Sequence, residues 1–275
     1  MNNDVRQIPL EKPIAITSCG ERIWIADESS QSLAGFDPVS GELLSLVTLD
    51  EEPTTLTATA GLVVVGMVSS IMALDARTAQ PRWQCATRSP GFVLKGYLDD
   101  IWTWYAREAE FDCIDPAGNE CRFEAEGVLI FAPAPKGVYW LSSRGILWLG
   151  QGSLSPRERT STTSPVMTGD ANAMLFCANG LWIAAHEELI LCHPSSLEQL
   201  AKLPVPERTV THLICDGSRL YGGFRQVFVY DPAADAGIRV IPSSLDSPMC
   251  GIAVAKHKLW VLESDRGIVH SFDVL

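Results

Sequence analysis

Apolar residues in this chain recur in short runs and not at the 3.6-residue period of a helix. Arg22-Ile-Trp-Ile-Ala26, Gly180-Leu-Trp-Ile-Ala184 and Lys258-Leu-Trp-Val-Leu262 show the pattern, and polar residues, Asp27-Glu28, His186-Glu187 and Glu263-Ser264, soon follow each run. Runs of this length bounded by turn residues predict strands, and the lack of apolar–polar alternation predicts strands covered on both faces. Abundant Val, Ile, Leu, Trp and Thr agree with that reading. The nearest approach to an amphipathic helix is Ser195 to Leu203, which runs into Pro204.

The runs keep a nearly fixed step. Their third positions are Trp24, Val63, Trp102, Tyr139, Trp182, Tyr221 and Trp260, separated by 39, 39, 37, 43, 39 and 39 residues. A period of that length marks a repeat architecture. A second marker follows the same step: Phe36-Asp37-Pro38, Leu74-Asp75-Ala76, Ile114-Asp115-Pro116, Cys192-His193-Pro194, Tyr230-Asp231-Pro232 and Phe272-Asp273 each end the next strand. An Asp carboxylate accepts hydrogen bonds from amides two residues on, and Pro pre-sets φ for the next residue, so the pair predicts a turn. His193 stands where its siblings have Asp and is read as structural. The fourth repeat, around Leu147-Trp-Leu-Gly150, lacks the marker and carries the Ser/Thr/Pro-rich stretch Ser153 to Pro165, where an irregular loop or outer strand is expected.

Each repeat accommodates four strands, which in the first are Ile14–Cys19, Arg22–Ala26, Leu33–Asp37 and Glu42–Leu49. A sheet of that size buries both faces only against neighbours, and seven of them arranged radially close into a ring. The chain stops before its last repeat has an outermost strand. Asp4-Val-Arg-Gln-Ile-Pro-Leu10 resembles the outer-strand passages Gly237-Ile-Arg-Val-Ile-Pro242 and Leu200-Ala-Lys-Leu-Pro-Val205, so the first residues supply it. The expected fold is all-β: a seven-bladed β-propeller of four-stranded blades, one domain over residues 1–275, its seventh blade completed by residues 4–10.

Charge and composition narrow the function. With 33 Asp and Glu against 21 Lys and Arg the formal net charge is −12, which argues against nucleic-acid binding. The opening Met-Asn-Asn-Asp-Val-Arg-Gln has no apolar core of the kind a signal peptide needs, and the longest apolar run, Leu62 to Leu74, is broken by Gly66, Ser69 and Ser70. No membrane span is read, and a cytoplasmic protein is expected. Eight cysteines form no C-x-x-C pair, so neither a zinc ligand set nor a dithiol motif is written here; most are expected to be buried, reduced thiols.

Several of these stretches resemble known propeller repeats. Ser70-Ile-Met-Ala-Leu-Asp-Ala-Arg-Thr-Ala-Gln-Pro-Arg-Trp83 is similar to the quinoprotein-type repeat, in which A-L-D-x-x-T-G-x-x-x-W forms the outer half of a blade. Phe36-Asp-Pro-Val-Ser-Gly-Glu-Leu43 resembles the outer half of YVTN-type repeats. Trp24-Ile-Ala-Asp27 and Trp260-Val-Leu-Glu263 match the W-F-T-E run of streptogramin lyase-like propellers at the Trp and the acid. The resemblance covers nearly the whole chain and implies the scaffold, from which function does not follow. Quinoprotein dehydrogenases are larger, exported and calcium-binding, so a quinone cofactor is not implied. In the streptogramin lyase family an acid and a histidine lie close together around a magnesium ion; here Glu263 is followed by Ser264-Asp265-Arg266, with no histidine before His270.

Candidate chemistry sits in the connections. In an antiparallel blade those from second to third strand, and from fourth strand to the next blade, fall at the same end. The first set carries His186-Glu187, Arg107, Arg144, Arg225, Asp27, Glu263 and Asp265, and the second adds Asp50-Glu51-Glu52, Arg88, Asp170, Glu207-Arg208 and Asp246. His186 beside Glu187 is the sharpest catalytic candidate, because an imidazole titrates near neutral pH and a carboxylate in reach orients it; the alternative is a solvated loop dipeptide. Glu263 completes the catalytic set. Asp27 and Glu263 occupy equivalent positions of adjoining blades and offer oxygens to a divalent cation, although two acids are too few to define a metal site, and no metal ligands are assigned. Trp104 and Tyr105 add aromatic surface suited to a planar ligand or to packing, while Asp27, Arg107, Arg144 and Arg225 are placed to orient a substrate. His270, on a third strand, is expected to be buried and hydrogen-bonded, and His212, on an inner strand, faces either the channel or a neighbouring blade. No cofactor motif, nucleophile elbow or phosphate loop is present.

Two readings follow. One is a small-molecule enzyme of lyase, cyclase or isomerase type with its ligand at the channel mouth and acid/base groups drawn from different blades. The other is a non-catalytic scaffold that binds a protein partner over the same face.

Overall fold

The computed structural model describes residues 3–59, 61–125, 127–135, 137–151, 159–163, 171–177, 180–234, 237–243, 245–263 and 267–274. Among them are 28 strands in seven four-stranded sheets. β1 (Asn3–Gln7) comes first in the chain and lies in the last sheet. The first blade is β2 (Pro13–Cys19), β3 (Arg22–Asp27), β4 (Ser32–Phe36) and β5 (Leu43–Thr48), and the second β6 (Pro53–Thr59), β7 (Leu62–Met67), β8 (Ser70–Asp75) and β9 (Pro81–Ala86). β10 (Val93–Tyr97), β11 (Asp100–Tyr105), β12 (Glu110–Ile114) and β13 (Glu120–Glu124) make the third; β14 (Val128–Ala134), β15 (Gly137–Ser142), β16 (Ile146–Gln151) and β17 (Arg159–Thr163) make the fourth. The fifth holds β18 (Ala171–Cys177), β19 (Gly180–Ala185), β20 (Glu188–Cys192) and β21 (Gln199–Pro204), and the sixth β22 (His212–Cys215), β23 (Leu220–Gly223), β24 (Val227–Tyr230) and β25 (Ile238–Ile241). β26 (Met249–Ala255), β27 (Lys258–Glu263) and β28 (Ile268–Asp273) form the last sheet with β1, in the order β1-β28-β27-β26. The fold is the expected seven-bladed β-propeller.

The blade-completing strand is where the sequence places it, over a slightly different span. β1 pairs antiparallel with β28 from Asn3 opposite Phe272 to Gln7 opposite Ile268, so residues 3–7 form the ladder and Ile8 enters the core beyond it. Ser195 to Leu203 is a turn followed by β21: Leu203 packs inward while Leu200 is exposed, so the period is two. In the fourth blade β17 supplies an outer strand, and the rest of Ser153 to Pro165 lies outside the described residues. The thiols depart from expectation, since only Cys19 and Cys192 are buried and Cys121 is exposed.

By its contacts the chain falls into two compact units, residues 1–105, 113–120 and 245–275, and residues 106–112 and 121–244. In the first unit Trp260 of β27 packs with Ile23, Ile25 and Phe36 of the first blade, and Trp24 packs with Val63, Val65 and Leu74 of the second. Close packing sets residue size here: a Cβ at Gly35 would meet Ser45 Oγ at 2.6 Å and the Trp24 ring at 3.1 Å. In the second unit Tyr139 packs with Leu181 and Ile183 of the fifth blade, and Trp182 with Leu213 and Phe228 of the sixth.

The turn marker joins neighbouring blades. Asp37 Oδ1 accepts from the amides of Val39 and Ser40 at 2.8 and 2.7 Å, and Asp115 Oδ1 from those of Ala117 and Asn119 at 2.9 and 2.8 Å. His193 performs the same task with Nδ1, which accepts from the Ser195 and Ser196 amides at 3.2 and 3.1 Å. The turn so formed presents the next carbonyl to an aromatic of the preceding blade. Trp260 Nε1 donates to Pro38 O at 3.2 Å, Trp83 Nε1 to Pro116 O at 3.1 Å, and Tyr139 Oη to Pro194 O at 2.7 Å.

Deleting residues 1–10 removes the whole β1 ladder and the buried Ile8, leaving β28 as an unpaired edge. Loss of one buried aliphatic side chain costs about 3 kcal/mol, so a fall in melting temperature of about 10 °C, with aggregation, is expected in a thermal melt. A truncated chain that melts like the full one contradicts this role.

Candidate functional site

The end of the blades that carries the turns between second and third strands is organised by carboxylates that accept from the backbone. Asp27 closes β3 and is 0 % exposed. Its Oδ2 accepts from the amides of Glu11 and Lys12 at 2.6 and 3.2 Å, and its Oδ1 from the Ser30 amide at 2.9 Å. The segment entering the blade is thereby tied to the turn between its second and third strands. The second blade does the same from the other side: Glu51, in the entering segment, accepts from the Ser69 amide and hydroxyl, each at 2.7 Å, and from Ser70 Oγ at 3.1 Å. These donors, the Ser69 hydroxyl foremost, hold the Glu51 carboxyl below its ordinary range. In the sixth blade Glu207 gathers the consecutive amides of Phe224, Arg225 and Gln226 at 2.5, 2.9 and 3.2 Å.

Glu263 is the seventh blade's version, and it recruits a histidine. Its Oε1 accepts from the Asp246 amide at 2.9 Å and from His270 Nε2 at 3.1 Å, and its Oε2 from Ser247 Oγ at 3.5 Å. Antiparallel pairing of β27 and β28 brings these two residues together across a separation of seven. Both are buried, Glu263 1 % and His270 3 % exposed, and His270 Nδ1 has no hydrogen-bond partner among the described residues. His270 is the buried, hydrogen-bonded imidazole the sequence predicts.

Several candidates have neighbours that the sequence did not show. Asp27 and Glu263 latch loop to strand, their oxygens accepting from N–H and O–H donors. Tyr105 and Trp104 are buried, and the Tyr105 ring lies beneath the Arg88 guanidinium at 4.9 Å and 5.8 Å from the Phe92 ring. Both aromatics are core residues rather than a ligand platform. Ser264, Asp265 and Arg266, like Asp170, lie outside the described residues.

In the second unit the site residues remain accessible. His186 sits in the β19–β20 turn with φ 51° and is half-buried, and its Nδ1 accepts from Arg208 Nε at 3.2 Å. That bond leaves the ring proton on Nε2. Glu187 is exposed and, among the described residues, its side chain makes no hydrogen bond, so the expected His–Glu pair is replaced by a His–Arg pair. Beside it a cavity of about 400 Å³ is lined by Glu187, Glu188, Lys202, Pro204, Glu207 and Arg208. Arg107, Arg144 and Arg225 are exposed in the equivalent turns of the third, fourth and sixth blades. His212 approaches Thr211 Oγ1 through Nδ1 at 2.8 Å and is half-buried.

Two features of the inner strands went unread. Five of them, β2, β6, β14, β18 and β26, share a one-residue register shift near their start, at Ile14, Thr54, Leu129, Asn172 and Cys250. Lys95 on β10 is the only Lys, Arg, Asp or Glu in the seven inner strands, a signal visible in Phe92-Val-Leu-Lys-Gly-Tyr97. Desolvation of its half-buried ammonium pulls it down to about 8.

No protein-family model matches the chain, and no curated protein matches it. Solved structures do: virginiamycin B lyase from Staphylococcus aureus is 13% identical with a TM-score of 0.77 over 100% of both chains. A chain of the mitotic checkpoint complex is 12% identical with a TM-score of 0.75, over 98% of this chain and 91% of that one. BamB from Moraxella catarrhalis is 12% identical with a TM-score of 0.70, over 98% of each chain. The scaffold is thus similar to that of the streptogramin lyases, and its seven blades are those of this chain's own sheets. At such identities these likenesses show the fold alone.

Asp27→Ala strips three amides of their acceptor in a buried setting, and a loss of about 3 kcal/mol in urea denaturation is expected, against about 1 kcal/mol for the more exposed Glu28→Ala. A second expectation concerns pH. Lys95 titrates lower in the folded chain than its ordinary 10.5, so between about 8 and 10.5 the unfolded chain binds more protons and stability rises with pH. Lys95→Met should lack this rise, so that its stability relative to the unsubstituted chain falls between about pH 8 and 10 in urea denaturation. A difference that does not change with pH would contradict the desolvation argument.

Proposed function

We propose that the chain is a non-catalytic interaction propeller that holds a protein partner at the turn-bearing end of its second unit. The observation that carries this reading is the employment of the carboxylates: Asp27, Glu51, Glu207 and Glu263 serve as acceptors for backbone amides and serine hydroxyls. An acid/base mechanism of lyase or isomerase type needs such groups turned toward a substrate. At this end the exposed charged groups of the second unit are predominantly positive. Arg107, Arg144, Arg208 and Arg225 are exposed at this end, together with Glu108 and Glu187, in a chain whose net charge is −12. The surface suits an acidic segment of a partner, with guanidinium groups forming paired hydrogen bonds to carboxylates. The structural likenesses are compatible with either class, since a lyase and a chain of a multiprotein complex resemble this fold to nearly the same degree.

The cavity lined by Glu187, Lys202 and Arg208 favours a second reading, in which a small oxygen-rich ligand binds there and the Lys202 and Arg208 side chains donate to it. Native mass spectrometry of protein purified gently from its own cells separates the two. A stoichiometric polypeptide retained by the wild type and reduced at least about tenfold in Arg208→Glu/Arg225→Glu, with an unchanged melting temperature, is expected. A bound metabolite lost in Lys202→Ala would transfer the assignment to the small-molecule reading.

A further inference from the structure

The outer edge of the first blade differs from its siblings. β5 is the last strand of its sheet, bonded to β4 on one side, and among the described residues no strand pairs with its other side. Such an edge presents unpaired N–H and C=O groups, and proteins usually guard it with charge or proline. Each of the other six outermost strands contains at least one Lys, Arg, Asp or Glu, such as Arg82 in β9, Lys202 in β21 and Arg239 in β25. β5 reads Leu-Leu-Ser-Leu-Val-Thr and has none.

The siblings act as an internal control, because β5, β9 and β21 share one pattern of exposure along the strand. At its second and fourth positions β9 places Arg82 and Gln84, and β21 places Leu200 and Lys202. β5 places Leu44 and Leu46 there, 46 % and 60 % exposed, and Val39 and Leu43 extend the apolar surface. Ser45 and Val47 point the other way, Val47 toward the core shared with the second blade and Ser45 toward the Arg22 guanidinium, which donates to its Oγ at 3.1 Å.

Charge selects the occupant. Exposed Glu42 precedes the strand, and exposed Asp50 and Glu52 follow it. A second copy added antiparallel would set Glu42 of one chain near Asp50 and Glu52 of the other, between two bodies of net charge −12. A segment with basic ends meets acids at both ends of β5 instead. We propose that β5 is a docking edge for an extended polypeptide segment of a partner, apolar at alternate positions and basic at its ends, which adds as a fifth strand to the first blade. Main-chain hydrogen bonds supply the pairing, Leu44 and Leu46 the apolar contact, and Glu42, Asp50 and Glu52 the selection for lysine or arginine. The inference is independent of the arginine-bearing turns discussed above.

The probe is a fluorescein-labelled dodecapeptide of alternating Thr and Val with two lysines at each end, and its control has glutamates in place of the lysines. Fluorescence anisotropy at low salt is expected to show the lysine-ended peptide binding at least about tenfold more tightly than the control. Leu44→Lys/Leu46→Lys, which copies the charged positions of β9 and β21, should weaken binding at least about tenfold with an unchanged melting temperature. Glu42→Lys/Asp50→Lys leaves the apolar strand intact and should invert the preference between the two peptides. Hydrogen exchange should slow at Leu43–Thr48 on binding. Arg208→Glu/Arg225→Glu should bind the peptide as the wild type does, so failure of the arginine-surface reading leaves this result unaltered. Absence of binding, equal binding of both peptides, or equal binding by the β5 variants overturns the proposal. Sedimentation showing a wild-type dimer that the β5 variant lacks also overturns it, by assigning the edge to a second copy.

Discussion

Everything in this protein depends on strands that are apolar on both faces. A lone four-stranded sheet leaves both faces in water, and the second strands here, buried along nearly their whole length, have no face that tolerates it. Each blade is therefore stable only between neighbours. Where the third position of that strand is Trp24, Tyr139, Trp182 or Trp260, the large side chain packs against the next blade. Its polar tip, where it is Trp260 or Tyr139, reaches the carbonyl after the next blade's turn residue. A sequence marker that looks local, Asp-Pro or His-Pro, is thus part of the joint between blades.

The same need to fix neighbouring segments explains why a set of acids that looks catalytic is largely structural. Turns between second and third strands leave amides without ladder partners, and buried amides must be satisfied. A carboxylate from the strand end or from the entering segment satisfies one to three of them, with serine hydroxyls alongside in two blades, and ties the two loops together. Asp27 and Glu263 supply it from the strand, Glu51 and Glu207 from the segment. The fold needs this function at the blade end whatever ligand or partner comes there. What stays outward is the part the latch does not use, the guanidinium groups of the second unit and the half-buried His186 with Arg208 at its Nδ1.

Strand count, blade boundaries and the closing N-terminal strand were legible because each rests on a local pattern repeated seven times. Repetition averages out the ambiguity of any single run. The turn function of Asp37 and Asp115 was legible for the same reason, and His193 could be read as their substitute because an imidazole nitrogen accepts amide bonds in the same position. The candidate site was less legible. A polar residue in a loop looks the same in sequence whether its side chain meets solvent, a ligand or a neighbouring amide.

The sequence by itself determined the fold class, the number of blades and the end of each blade where functional side chains can gather, since periodicity and turn chemistry are written in consecutive residues. Tertiary structure alone decided which of those side chains are available. Burial of Tyr105 beneath Arg88, the bond between His270 and Glu263, and the exchange of Glu187 for Arg208 as the partner of His186 depend on the packing of segments distant in the chain or on register across strands. The unguarded edge of β5 lies between the two. Its lack of charge is plain in Leu-Leu-Ser-Leu-Val-Thr, but only the strand order shows that nothing in the described chain pairs with it.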